Sequence, residues 1–205
     1  MNYDILATKE IVTKTTETLK ANGIEVIAVE TGMEALEKIK ELIPKGASVM
    51  NGASKTLDQI GFIEYLKSGK HEWNNLHEGI IAEKDRAQQM VLRKQATLSD
   101  YYLGSIHALA ENGEFIIASN TGSQLPHIVF TSPNLIFVVS TKKIVPTLVD
   151  AMKRLEDHVL PREDKSIMEK FNIHTMLSKI VIFKRENPIM GRKVRMILVN
   201  EDLGF

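Results

Sequence analysis

The sequence predicts an α/β protein built on a mixed, largely parallel sheet flanked by helices. Two observations carry that expectation. Over the first sixty residues, short apolar runs of strand composition alternate with longer stretches of helical periodicity. Further on, several extended runs follow one another closely, and one Asn-Gly pair between two of them marks a hairpin-type turn. At 205 residues the chain fits one such domain, 1–205, with residues 1–45 as its helix-strand-helix N-terminal portion.

Taken in order, residues 4–21 read as an amphipathic helix, with Ile5, Val12 and Leu19 at heptad spacing. Asn22-Gly23 stops it, and Ile24–Val29 reads as a strand. Thr31 and Glu34 form a capping-box pattern, in which each side chain satisfies a free backbone N–H at the start of a helix. Met33, Leu36, Ile39 and Ile43 mark that helix's buried face, and Pro44-Lys-Gly46 ends it. Ala47–Met50 is a short strand. Residues 67–85 are polar and irregular, 84–98 look helical, and extended pieces follow at 101–103, 106–109, 115–118 and 135–139. Glu111-Asn-Gly-Glu114 is the turn between two of them, since Asn-Gly tolerates positive φ. Pro146 opens a helix running to about His158, and two strands, 179–184 and 194–199, close the sequence.

Composition narrows the function classes. Hydrophobic residues at 43% and charged residues at 25% fit a folded globular chain, so disorder is not expected. The 26 basic residues balance the 26 acidic ones, and without a dense basic cluster no nucleic-acid surface is expected. There is no cysteine, so no disulfide, cysteine-ligated zinc or thiolate-held iron–sulfur cluster forms within these residues. No apolar run reaches the roughly 18 residues of a membrane span, and the N-terminal stretch lacks the apolar core of a signal peptide. A cytoplasmic protein is the default expectation, and the pattern sets no oligomeric state.

Two polar turns are candidate ligand sites. Asn51-Gly-Ala-Ser-Lys-Thr-Leu-Asp-Gln-Ile-Gly61 leads from a strand into a helix start, where free N–H groups, Gly52, Ser54, Lys55 and Thr56 suit an anion. It is not the phosphate-binding P-loop pattern. The same residues also read as plain capping, with Ser54 or Thr56 as N-cap and Thr56-x-x-Gln59 as a second capping box. Asn120, Thr121, Gly122 and Ser123 offer a second backbone cradle, or an ordinary surface loop. The histidines lack any zinc-binding spacing, so no metal is expected, although His107 and His127 converge if the hairpin between them folds back. No Gly-x-Ser-x-Gly elbow occurs. Glu111-Asn-Gly resembles the segment bearing the nucleophilic glutamate in one class of CoA transferases, which makes Glu111 a catalytic candidate beside the plainer turn reading. Asp100, at a strand start, is either a candidate proton-transfer group or a turn residue.

The run SKIVIFKRENPIMGRKVRMILVNEDLGF, with SDYYLGSIHALAENGEF, SNTGS, KKIVPTL and LPRED, resembles the LUD domain of lactate utilization proteins over most of residues 45–205. The resemblance implies a fold like that of ribose-phosphate isomerases, CoA transferases and the formyltetrahydrofolate cyclo-ligase, with anionic substrates on loops at strand ends. It strengthens Ser54-Lys55-Thr56 and Thr121-Gly122-Ser123 as anion sites and implies that Asp100 and Ser105 face the same cleft. It further implies a role in a lactate-oxidising system beside iron–sulfur redox proteins, with the cofactors held by those partners. An enzyme acting on a phosphorylated, folate or CoA-linked metabolite, of isomerase, cyclo-ligase or CoA-transferase type, is the alternative.

Overall fold

The computed structural model describes residues 1–205. Its centre is a six-stranded parallel sheet of strands β1 (Ile24–Val29), β2 (Ser48–Asn51), β3 (Asn74–Asn75), β4 (Tyr101–Gly104), β7 (Asn134–Ser140) and β10 (Lys193–Val199), in the order β1-β10-β7-β4-β2-β3. A second, four-stranded sheet has the order β8-β5-β6-β9, from β5 (Ala108–Ala110), β6 (Phe115–Ser119), β8 (Ile144–Val145) and β9 (Lys179–Phe183). Its β5–β6 and β6–β9 pairs are antiparallel and its β5–β8 pair is parallel. The Asn-Gly turn closes the β5–β6 hairpin, with Gly113 at φ +82°.

The central strands β7 and β10 are apolar on both faces, as a sheet covered on both sides requires. Side chains alternate between the two faces. Leu135, Phe137, Val139, Val194, Met196 and Leu198 face one core with Leu19 of helix α1 (Lys9–Ala21) and with Phe115 and Ile117 of β6. Ile136, Val138, Ile197 and Val199 face the other. That core is closed by α2 (Gly32–Leu42), α3 (Lys55–Gln59) and α4 (Phe62–Lys67), through Ala35, Ile39, Leu57, Phe62 and Leu66. A third core lies beyond the small sheet, where Ala108 and Ile116 meet Ala151 of α7 (Leu148–Arg154) and, farther along, Leu155 and Val159. Helices α5 (Leu76–Ala82) and α6 (Arg86–Gln95) complete the chain order between β3 and β4.

Several boundaries differ from the sequence expectation, each for a local reason. Helix α1 starts at Lys9 because Thr8 caps it, accepting from the Ile11 N–H at 3.4 Å. Residues before it run free of the helix, so Ile5 is exposed while Tyr3 packs on the third core. Thr31–Glu34 is a capping box as expected, but Met33 points outward and Ala35 fills the buried face instead. The helix expected at 146–158 begins after its N-cap Thr147 and continues to Phe171 as α7, a π-helical turn Leu155–Val159 and α8 (Leu160–Phe171). The wide turn stands immediately before Pro161, where a regular helix loses a hydrogen bond. The last two strands are not neighbours: β9 joins the small sheet and β10 the centre of the large one.

Candidate functional site

Parallel strands aligned in one sheet end together, and ligands of open α/β sheets gather beyond those carboxyl ends. Here the segments leaving β2, β4, β6 and β7 meet around a cavity of about 840 Å³, which residues 204–205, after β10, also line. Of the sequence candidates, Gly52, Ser54, Lys55, Thr56, Ser105, Asn120, Thr121 and Ser123 line it. Gly122 does not; it turns the loop at φ +85°, and a Cβ there would stand 2.9 Å from Lys179 Cδ. The two proposed catalytic carboxylates lie elsewhere. Asp100 accepts from Ser48 N–H at 2.8 Å and Ser48 hydroxyl at 2.6 Å, fastening the start of β4 to β2 at the opposite strand ends. Those bonds hold its carboxyl below the usual range. Of the pair expected to share a cleft, only Ser105 reaches the cavity. Glu111 sits in the hairpin turn and pairs with Lys14 at 3.0 Å.

The opening turn of α3 resolves into distinct tasks. Ser54 is the N-cap, accepting from Leu57 N–H at 3.2 Å. Thr56 caps nothing; it is buried with its hydroxyl 3.2 Å from Lys143 Nζ. Gln59 makes no capping box either, since its side-chain oxygen accepts the Gly204 N–H at 2.6 Å. Gly52 is required by crowding: a Cβ would lie 2.4 Å from the Tyr102 hydroxyl and 3.0 Å from Gln124 Oε1.

Lys143 is the principal residue that the sequence reading left unassigned. It is 4% exposed and lines the cavity, with Nζ 3.0 Å from Ser105 Oγ and 3.1 Å from the Ile106 carbonyl. Burial, followed by the Arg154 and Lys142 charges, holds its amine well below the usual ammonium range. Gly204 lies against it: a Cβ there would stand 2.9 Å from Nζ and 2.3 Å from Thr56 Oγ1. A fully buried lysine is rare without a partner, and only the fold reveals this one, because Lys142-Lys143 reads in sequence as an ordinary charged pair.

Four histidines also line the cavity, His77, His107, His127 and His174, and the second and third are the most buried. His107 accepts the Ala118 N–H at Nδ1 (3.0 Å), which places its own proton on Nε2. Burial, reinforced by Lys143 and Arg154, pulls it down to about 3. His127 stacks on Tyr102 with ring centres 4.6 Å apart, its Nδ1 held by the Ser132 and Ser99 hydroxyls at 3.0 and 3.2 Å. Burial pulls it down to about 4. The hairpin does bring both rings to one cavity, but no group of three or more potential metal ligands forms. Its lining also includes the exposed apolar side chains of Phe171, Ile173 and Met176.

A LUD domain family model matches residues 12–182, and the chain belongs to that family. The match takes in most of α1, β1 and α2, upstream of the segments that carry the sequence resemblance. A crystal structure of a DUF162 family protein from Deinococcus radiodurans superposes with a TM-score of 0.58 at 13% identity, covering 96% of this chain and all of that one. At that identity the likeness shows the shared α/β fold. No curated protein matches the chain. No helix is long and apolar enough to cross a membrane.

Proposed function

We propose that this LUD-domain protein binds a small anionic metabolite in the cavity at the strand ends. The supporting observation is the convergence of two small-residue loops, 52–56 and 119–124, on one cavity with Lys55 at its edge. The backbone N–H groups and hydroxyls of those loops receive the negative group, while the apolar side chains of Phe171, Ile173 and Met176 accommodate the rest of the molecule. In lactate utilization, as the family name suggests, the protein handles the small acid. Electron transfer falls to iron–sulfur partners, because these 205 residues have no thiolate to hold a cluster.

Thermal unfolding tests the reading, with lactate, pyruvate, sugar phosphates and acyl-CoA esters added to wild type and to Lys55→Ala. A specific ligand at 100 times its dissociation constant adds about 2.7 kcal/mol, a rise of roughly 5–10 °C for a chain of this size. The rise should shrink in Lys55→Ala. If none of these anions moves the transition, the reading fails.

A further inference from the structure

Lys142 and Lys143 are neighbours in sequence with opposite surroundings. Lys142 Nζ is paired with Asp202, donates to the Gly204 carbonyl at 2.9 Å and lies 3.8 Å from Asp4. Lys143 Nζ meets no carboxylate; its partners are two hydroxyls and one carbonyl. Ser105 gives its hydroxyl proton to the Val138 carbonyl at 2.7 Å, so toward Lys143 it accepts. The Ile106 carbonyl can only accept. Thr56 Oγ1, at 3.2 Å, has its proton free to give. An unprotonated amine satisfies all three contacts, donating two N–H bonds and accepting one O–H bond, and an ammonium satisfies them by donating three. Nearby charge and the missing carboxylate favour the unprotonated amine, because Arg154, close to Lys143, is a fully buried cation that donates to the neutral His107 carbonyl.

We propose that Lys143 is an imine-forming lysine that condenses with the aldehyde or ketone carbonyl of an anionic metabolite held in this cavity. The proposal rests on the anion-binding reading above, which supplies the negative group's place on the two loops. The nitrogen lone pair attacks the carbonyl carbon, and the C=O π pair moves to oxygen. Both amine protons end on that oxygen, which departs as water and leaves a C=N bond. Nothing is oxidised or reduced. A free amine in a dry pocket is the chemical requirement for such a step. Gly204 packs against Nζ on one side, and the cavity lies on another.

The test is reductive trapping. The protein is incubated with glyoxylate, pyruvate or glyceraldehyde 3-phosphate plus sodium cyanoborohydride, and the adducts are located by peptide mapping. One anionic carbonyl should label Lys143 at least about tenfold more than the exposed lysines. Lys143→Arg should abolish that adduct, and the wild-type protein should show a thermal shift with lactate or glycerol 3-phosphate, which carry no carbonyl. Labelling that follows surface exposure, or that survives Lys143→Arg, overturns the proposal. If the carbonyl-free anions shift the transition while Lys143 stays unlabelled, anion binding stands and the imine falls. If Lys143 is labelled but lactate and glycerol 3-phosphate give no shift, the imine stands and the anion reading fails. The wild-type peptide map decides the imine even if Lys143→Arg does not fold.

Discussion

Gly204→Ala separates a close contact from backbone strain. Gly204 has φ +70°, and the new methyl would meet Thr56 Oγ1 at 2.3 Å and Lys143 Nζ at 2.9 Å. Neither atom can yield cheaply, since Thr56 and Lys143 are 1% and 4% exposed and bonded to one another. A left-handed backbone alone costs a non-glycine residue about 1–2 kcal/mol. The contact adds to this until residues 203–205 lift away. Lifting them sacrifices the burial of Leu203, about 1.5–3 kcal/mol, and the bonds Gly204 makes to Gln59 and Lys142, about 1 kcal/mol each. The expected loss therefore exceeds the strain alone and reaches at most about 3.5–5 kcal/mol, and at roughly 2–4 °C per kcal/mol the melting temperature falls by up to about 7–20 °C. Gly46→Ala is the control: its φ is +79° and nothing lies within 4 Å of the added methyl. It should cost only the strain, about 1 kcal/mol. Urea unfolding of both variants gives the comparison. Equal losses at the two positions would refute the packing of residues 203–205 on Lys143.

The buried histidines make stability depend on pH. His107 and His127 sit at about 3 and about 4 when folded, against 6.5 ordinarily. The unfolded chain therefore binds more protons between these values, and the stability present above pH 6.5 is lost as pH falls. Urea unfolding of His127→Gln between pH 6.5 and 5 should show a fall smaller than wild type by roughly 1.5 kcal/mol; an unchanged fall would mean that the ring is already protonated or open to solvent. Thr31→Ala should lose about 1 kcal/mol by urea unfolding, because one substitution removes the capped Glu34 N–H contact at 3.2 Å. Glu111→Ala removes one exposed ion pair and should change stability by less than about 0.5 kcal/mol, with any ligand-induced thermal shift intact. Asp100→Ala should lose about 1 kcal/mol through its Ser48 bonds, again with the ligand shift intact; loss of that shift in either variant would give the carboxylate a part in binding.

What the sequence made legible was local. The Thr31–Glu34 box, the Asn-Gly hairpin and the doubly apolar β7 and β10 follow from spacing within a few residues, and each forms. Small polar residues after strands were legible for the same reason, since a tight turn needs them whatever it binds. Residues whose meaning depends on distant partners read misleadingly. Thr56 and Gln59 spell a capping box, yet one faces Lys143, 87 positions away, and the other holds Gly204. Asp100 reads as an available carboxylate, yet Ser48, 52 positions earlier, donates both its N–H and its hydroxyl to Oδ2.

Lys143 shows why the chemical centre was the hardest part to read. Two of the segments that carry the sequence resemblance, Lys142-Lys-Ile-Val-Pro-Thr-Leu148 and Asn200-Glu-Asp-Leu-Gly-Phe205, are far apart in sequence but meet in the fold. Asp202 and the Gly204 carbonyl take Lys142, while Gly204 leaves just enough room for Lys143. The acidic residue of one segment thus neutralises the first lysine and spares the second. Ser140 fixes which lysine goes where: it accepts from Lys142 N–H and donates to the Glu201 carbonyl, locking the turn after β7 to the turn after β10. A lysine pair reads in sequence as two equivalent surface charges. Parallel strand ends and a two-segment lock make one of them a structural ion and the other an amine facing the cavity.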